Sequence, residues 1–95
     1  MKISKNSEFI STSFFGDTIY TSANNLIQLF GEYSESDPFK INYEWNLILN
    51  DEIPFTIYDW KEPNLDLDEY IDYHIGARNK EESTKIKKCL NKTIK

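Results

Sequence analysis

Alternating apolar and polar residues between positions 41 and 50 form the strongest pattern in the chain. Large apolar side chains occupy every second position of INYEWNLILN, and Ile48 is the one apolar residue among the polar positions. A period of two places successive side chains on opposite faces of a β-strand, which a helix cannot do. A second strand-like run, FTIYDWK (55–61), follows the connection DEIP. We therefore predict a β-hairpin over residues 41–61, with Phe55 and Ile57 on its core face.

Two amphipathic segments predict the helices that cover this core face. Residues 23–30 carry an apolar stripe at helical spacing, with Ser22 (or Thr21) as the N-cap and Gly31 as the residue that ends the helix. Near the C-terminus, Asn79 with a glutamate three residues later resembles a capping box. The apolar stripe of this second helix comprises Ile86, Cys89, Leu90 and Ile94.

Two further segments complete the predicted sheet. FISTSF (9–14) is short, β-branched and aromatic, and YIDYHI (70–75) alternates as the hairpin does. Residues 18–20 either continue the sheet or lead into the first helix. The order β-α-β-β-β-α predicts an α+β fold: a small antiparallel sheet of three to four strands with two helices packed on one face. The length of 95 residues indicates a single domain (1–95), with its core between Phe9 and Ile94 and a short flexible N-terminus.

Charge is distributed unevenly along the chain. Residues 32–72 contain twelve acidic residues and two lysines, a net of −10, whereas residues 80–95 contain six lysines and two glutamates, a net of +4. The whole chain has a net charge of −5, which disfavours classical nucleic-acid binding because phosphates need a basic surface. The acidic segment is either a solvated face or a surface that attracts a basic partner.

The residues needed for catalysis or metal binding are sparse. One His and one Cys cannot form a zinc cluster, and Cys89 falls in the apolar stripe of a helix. Asp66 and Asp68 lack the loop pattern of a calcium site, and no glycine-rich phosphate loop is present. We expect no enzymatic activity, no metal and no cofactor. The single Cys, the lack of a long apolar run and the lack of a signal-peptide core lead us to expect a cytoplasmic protein.

The outer side of the hairpin carries two large aromatic residues, Tyr58 and Trp60, that packing of Phe55 and Ile57 does not require. Either a terminal segment or a dimer partner covers them, or they form an exposed contact surface. The expected partner-binding residues are Tyr58, Asp59, Trp60, Lys61, Asp66, Asp68, Glu69, Asp72 and His74.

A second interpretation depends on strand order. If the third strand lies beside the second strand of the hairpin, His74 shares a face with Tyr58 and Trp60. Together with Arg78, these side chains could hold a planar anionic ligand such as a nucleotide.

Four runs of the sequence carry a family resemblance: LFGE (29–32), YEW (43–45), TIYDWK (56–61) and YHIGA (73–77). They resemble a family of small, mostly uncharacterised proteins of bacteriophages and mobile elements, with the pattern FGEP, EW, a DG turn, TIYDWK and WHIGG. The resemblance covers about residues 14–78. The chain differs at Tyr33 for Pro, Glu52 for the turn Gly, Tyr73 for Trp and Ala77 for the second Gly.

The resemblance implies a viral or prophage origin, an α+β fold and no established catalytic residues. Small phage proteins of this size often antagonise host defence, and anti-CRISPR proteins are among them. We therefore expect a non-enzymatic phage-type inhibitor, located in the host cytoplasm, that binds a host defence protein through an acidic, aromatic surface. The expected partner is a protein or nucleoprotein complex with a basic surface, such as a CRISPR-Cas complex, without direct binding to nucleic acid or membrane.

Two alternatives remain open at this point. The chain could be a small-ligand binding protein that sequesters a nucleotide signal of host defence. It could also be a structural module that forms a homodimer through the hairpin. The three interpretations require different surfaces, so the positions of the aromatic and acidic side chains decide between them.

Overall fold

The computed structural model describes residues 2–6, 11–34 and 41–94, which form an α+β fold. The elements are β1 (Ile3–Lys5), β2 (Ser13–Ser22), α1 (Ala23–Phe30), β3 (Glu44–Leu49), β4 (Ile53–Tyr58), β5 (Tyr70–Ala77) and α2 (Lys80–Thr93). The strands form one antiparallel sheet in the order β1-β3-β4-β5-β2. The predicted fold class is confirmed, but the sheet has five strands instead of three to four.

The fifth strand comes from the N-terminal segment, which the sequence predicts to be flexible. β1 pairs with β3, and Ile3 lies opposite Leu49. A strand of three residues is too short to show a period, so it left no signal in the sequence.

The first predicted strand is displaced along the chain. Residues 9 and 10 lie outside the described residues, and β2 begins at Ser13 and includes residues 18–20. Its pairing with β5 is interrupted between Phe14 and Thr18, where Gly16 has a φ of +97°. Glycine adopts this conformation without a steric penalty. The irregularity therefore lets β2 pair with β5 both before and after the interruption.

The predicted helix caps are confirmed. The Ser22 side chain accepts a hydrogen bond from the backbone N–H of Asn25 (3.3 Å), and the Asn79 side chain accepts one from that of Glu82 (2.9 Å). Gly31 ends α1 with a φ of +87° and donates its N–H to the carbonyl of Ile27 at 2.8 Å. These contacts satisfy backbone groups that the ends of a helix leave unpaired.

The turn of the hairpin is centred on Asn50 and Asp51. Asn50 and Asp51 both have positive φ, and the N–H of Glu52 donates to the carbonyl of Leu49 at 3.0 Å. Leu49 pairs with Ile53, so residues 50–52 connect the two strands, and positive φ at two successive residues is the conformation of a type I′ turn. Asn and Asp tolerate this conformation best after Gly, and Glu52 does not have to adopt it.

Both helices pack on the same face of the sheet, and the core lies between these two layers. Trp45, which is 1% exposed, lies near its centre and donates its indole N–H to the carbonyl of Gly31 at 2.9 Å. The buried apolar residues are Ile19, Ala23, Leu26, Trp45, Leu47, Leu49, Ile53, Phe55, Ile57, Leu65, Tyr73, Ile75, Ala77, Ile86, Cys89 and Leu90. Of the described helices, none has the length and apolar character required to cross a membrane.

The opposite side of the sheet, called the outer face below, is packed tightly over Gly76. A Cβ atom at this position would lie 2.2 Å from Thr56 Oγ1 and 2.7 Å from Thr12 Oγ1. These two hydroxyls are themselves hydrogen-bonded at 2.9 Å. Gly76 therefore lets the segment before β2 close onto β4.

We predict that Gly76→Ala lowers the free energy of unfolding by about 1–3 kcal/mol, because the new methyl group must displace a hydrogen-bonded pair. Chemical denaturation checks this value. The double variant Gly76→Ala, Thr56→Ala should regain part of the loss, since it removes the closest atom. A double variant in which the two losses simply add would show that the crowding is not at Thr56.

Candidate protein-binding face

The candidate site lies on the outer face, where three neighbouring strands bring aromatic side chains together. Tyr58 of β4 pairs with His74 of β5, and Thr18 of β2 lies on the other side of His74. Partners in an antiparallel pair project to the same side of the sheet. The nucleotide hypothesis required the strand that follows the hairpin to lie beside the second strand of the hairpin. This order is present, because β5 lies beside β4.

Ring contacts join four side chains into a cluster that we call the aromatic face: Phe14, Tyr58, Trp60 and His74. The imidazole of His74 stacks on Phe14 with a centroid distance of 4.0 Å and an interplanar angle of 13°. The Tyr58 ring makes edge contacts with two of the other rings, at centroid distances of 5.4 Å from His74 and 6.3 Å from Trp60. The Trp60 and His74 rings are nearly parallel at 6.5 Å.

Much of the aromatic face is accessible. Phe14 is 43% exposed and Trp60 is 41% exposed, whereas both helices lie on the other side of the sheet. Tyr20 and Tyr70 extend the same face toward the other end of β5 and are 63% and 51% exposed. Exposed apolar groups concentrated on one face of a small protein are typical of a contact surface.

Phe14 is the member of this cluster that the sequence did not identify. It belongs to the strand predicted from residues 9–14, but that strand's place in the sheet depends on a pairing between residues about sixty positions apart. No local pattern identifies this position, because the contact depends on that long-range pairing.

Burial sets the protonation of two members of the aromatic face. Removal from water lowers the pKa of His74 below its ordinary value, and the negative charge of Asp59 opposes part of this shift. Burial also raises the pKa of Tyr58, with a smaller contribution from the carboxylate of Glu44. Both side chains are therefore neutral at pH 7, and the cluster has the chemistry of an aromatic surface with polar edges.

Asp59, between Tyr58 at the end of β4 and Trp60, has a structural position. Its side chain is fully buried and accepts hydrogen bonds from the backbone N–H groups of Asn42 (2.9 Å) and Tyr43 (2.8 Å). The side-chain amide of Asn42 donates to the same carboxylate at 2.8 Å. Asp59 was expected among the partner-binding residues, and its contacts show instead that it anchors the chain beside β3.

Lys61 lies next to the aromatic face. Its ammonium nitrogen is 5.6 Å from the centroid of the Trp60 ring, within the range of a cation–π contact. The backbone of Lys61 has a φ of +54°, which turns the chain sharply after Trp60. The chain then leaves the outer face.

The acidic loop, Asp66, Asp68 and Glu69, lies on the helix side of the sheet. Leu65, at the start of this loop, is buried in the core, and the carbonyl of Leu67 accepts the backbone N–H of Asn24 at 2.9 Å. The side-chain amide of Asn24 also donates to Asp68. The loop and Tyr43 line an open depression of about 540 Å³. The structure therefore separates the acidic loop from the aromatic face, whereas the sequence predicts that both belong to one surface.

The two remaining expected residues take different positions. Asp72 is exposed on the outer face, two residues before His74 and opposite Tyr20. Arg78 lies four residues after His74, about 13 Å along an extended strand. Its guanidinium donates to both carboxylate oxygens of Glu82, at 2.8 and 2.6 Å. Three of the four residues of the nucleotide hypothesis are thus brought together, and Arg78 lies apart in an ion pair.

The described residues give no support for a metal site or a catalytic nucleophile. Within residues 2–6, 11–34 and 41–94, no group of three or more His, Cys, Asp and Glu side chains is arranged to hold a metal ion. Cys89, which is 3% exposed, lies in the apolar core. The arrangement of the aromatic face can provide stacking, cation–π and apolar contacts.

We predict that stability between pH 5 and 7 depends on His74, the one histidine of the chain. Because the folded-state pKa is lowered, the unfolded chain binds more protons in this range, and stability rises with pH. Above about pH 6.5 the imidazole is neutral in both states and the fold has its full stability. As the pH falls from there toward the lowered pKa of the folded state, protonation of the unfolded chain reduces the free energy of unfolding. Urea denaturation of the natural protein and of His74→Phe, which keeps a ring for Phe14, checks this. Equal pH slopes for the two proteins would contradict the prediction.

Comparisons with known proteins leave the chain without an assigned family. No protein-family model, no curated protein and no solved structure matches it. The resemblance to phage proteins stays a prediction.

Proposed function

We propose that this chain is a non-enzymatic inhibitor of phage type, which binds a host defence protein through its aromatic face. The observation that supports this proposal best is the cluster of Phe14, Tyr58, Trp60 and His74 on a sheet face that neither helix covers. The phage origin in the proposal rests on the sequence motifs alone. The target is a protein or nucleoprotein complex with a basic surface, such as a CRISPR-Cas complex.

Aromatic side chains are suited to this role because they provide large contact areas at a small cost in conformational entropy. Trp and Tyr are enriched among the residues that dominate the energy of protein interfaces, and truncation of such a residue costs about 2 kcal/mol or more. Trp60 and Phe14 keep two fifths of their surfaces accessible while their rings remain in contact with His74 and, for Trp60, with Tyr58. A partner would therefore meet a preorganised surface.

Charge contributes in a different way from the aromatic contacts. Residues 32–72 carry a net charge of −10, but the acidic loop lies on the helix side of the sheet. Carboxylates outside an interface still attract a basic partner across about one Debye length, roughly 8 Å at physiological salt. We propose that the acidic loop accelerates association, whereas the aromatic face holds the complex together.

The nucleotide-binding alternative has less support. The phosphate of a nucleotide would need a cation beside the aromatic rings, and the guanidinium of Arg78 is engaged by Glu82 at a distance along the strand. Lys61 is the cation near Trp60, but Asp72 lies at the same end of the outer face. Native mass spectrometry of protein purified from cells distinguishes the two proposals, since sequestration of a nucleotide predicts an added mass.

We predict that Trp60→Ala weakens partner binding by about 30-fold, corresponding to about 2 kcal/mol. A tagged form of the protein is used to capture partners from a bacterial host lysate, and affinity is then measured with the purified partner. Leu29→Ala is the matched control, because Leu29 is 44% exposed on α1, on the opposite side of the sheet. Equal losses for the two variants, or no loss for Trp60→Ala, would refute the assigned surface.

We predict a kinetic difference for the acidic loop. The triple variant Asp66→Lys, Asp68→Lys, Glu69→Lys should lower the association rate constant and its salt dependence, while the dissociation rate constant changes little. Trp60→Ala should mainly raise the dissociation rate constant.

Surface plasmon resonance at several salt concentrations measures both rate constants. Reversal of three exposed lysines of α2, Lys85, Lys88 and Lys92, serves as the control, because it changes the net charge equally in the other direction. A dissociation rate that rises strongly in the triple loop variant would place the loop inside the interface and contradict the division of roles.

A further inference from the structure

A cation of the same chain lies over the exposed indole of Trp60. Lys61 Nζ lies 5.6 Å from the ring centroid, and both residues are exposed to solvent. The indole is the aromatic ring that attracts cations most strongly. The structure therefore shows one ring of the aromatic face in use as a cation-binding surface.

Two carboxylates lie on the same outer face as this ring. Asp72 precedes His74 by two residues, and Trp60 follows Tyr58 by two, so in the antiparallel pair of β4 and β5 both lie toward the same end of the sheet. Asp72 is exposed. Glu44 lies directly opposite Tyr58 on β3 and projects to the same face. Asp72 and Glu44 therefore place carboxylates on the outer face of the two strands that flank β4.

An arginine side chain matches this combination better than other cations. Its guanidinium is planar, so it stacks on an indole, and it donates paired hydrogen bonds to a carboxylate. A lysine ammonium is compact and strongly hydrated, and it can do only one of these at a time. A polyanion is disfavoured at the same place, because Asp72 and Glu44 would lie close to its phosphates.

We propose that Trp60 and Asp72 form a recognition site for an arginine side chain in a basic segment of the partner, and that Lys61 occupies this site in the free protein. The inference rests on the proposed function and specifies the chemistry of its partner. On binding, the arginine guanidinium stacks on the indole, Lys61 moves off the ring, and the Asp72 carboxylate accepts hydrogen bonds from the guanidinium.

Lys61 then acts as an internal competitor. Its removal should strengthen binding of an arginine, and the loss of a positive charge from an acidic surface acts in the same direction. Lys61→Asn is the suitable variant, because the positive φ at this position is tolerated well by Asn. Competition between Lys61 and a partner cation predicts that Lys61→Asn raises the affinity for the arginine peptide.

The experiment uses the whole protein and three probes: a capped peptide with two arginines separated by glycine, the same peptide with lysines, and a single-stranded oligothymidylate. Nuclear magnetic resonance of the two indole N–H groups reports binding. The Trp45 indole is buried and donates to the carbonyl of Gly31, so its signal serves as an internal control for the exposed Trp60 indole.

We expect the arginine peptide to shift the Trp60 signal and leave that of Trp45 in place. The lysine peptide should bind at least about threefold more weakly. Lys61→Asn should tighten arginine binding about threefold, and Asp72→Asn should weaken it about fivefold. Glu81→Gln, which neutralises an exposed carboxylate in the first turn of α2, should change it little.

Equal binding of the arginine and lysine peptides, or preferred binding of the oligothymidylate, would overturn the inference. So would equal losses in Asp72→Asn and Glu81→Gln. If the arginine peptide leaves the Trp60 signal unchanged while capture of a partner still depends on Trp60, the arginine site is wrong and the proposed function stands. If capture is also independent of Trp60, both fall.

Discussion

The buried carboxylate of Asp59 is the interaction on which the aromatic face depends. It accepts hydrogen bonds from two backbone N–H groups and one side-chain amide at the start of β3, and it has no exposed surface. Hydrogen bonds to a charged group contribute about 1.5–3 kcal/mol each, and a buried carboxylate without them would be strongly unfavourable. Because neighbouring residues of an extended chain project to opposite sides, holding Asp59 inside turns Tyr58 and Trp60 outward.

The size of the chain imposes a second constraint. Two short helices can cover one face of a five-stranded sheet, and they bury the side that carries Trp45, Phe55 and Tyr73. Of the segments that the structure describes, the one before β2 covers part of the outer face near Gly76, where Thr12 reaches Thr56. The remaining part carries the aromatic side chains, which explains how one chain has both a well-packed core and an extensive aromatic surface.

Short-range and long-range forces act from different sides of this molecule. The aromatic face offers contact through Trp60 and its neighbours, while the acidic loop offers a field from the helix side, where Leu65 and Asn24 hold it in place. Contacts across an interface govern how long a complex lasts, and fields govern how often the partners meet. A protein with this division can bind a basic partner rapidly without placing all of its carboxylates in the interface, where they would lose hydration.

Local structure could be predicted from the sequence: the alternation that forms β3 and β4, the caps at Ser22 and Asn79, and the outward position of Tyr58 and Trp60. Each of these depends on residues that are close along the chain, where spacing has a direct geometric meaning. The tertiary structure decided what depends on distant pairing. It added β1 to the sheet, brought Phe14 onto His74, placed Asp59 in the interior, and moved the acidic loop and Arg78 away from the aromatic face. Strand order and loop direction follow from the packing of the whole core, and no local pattern records them.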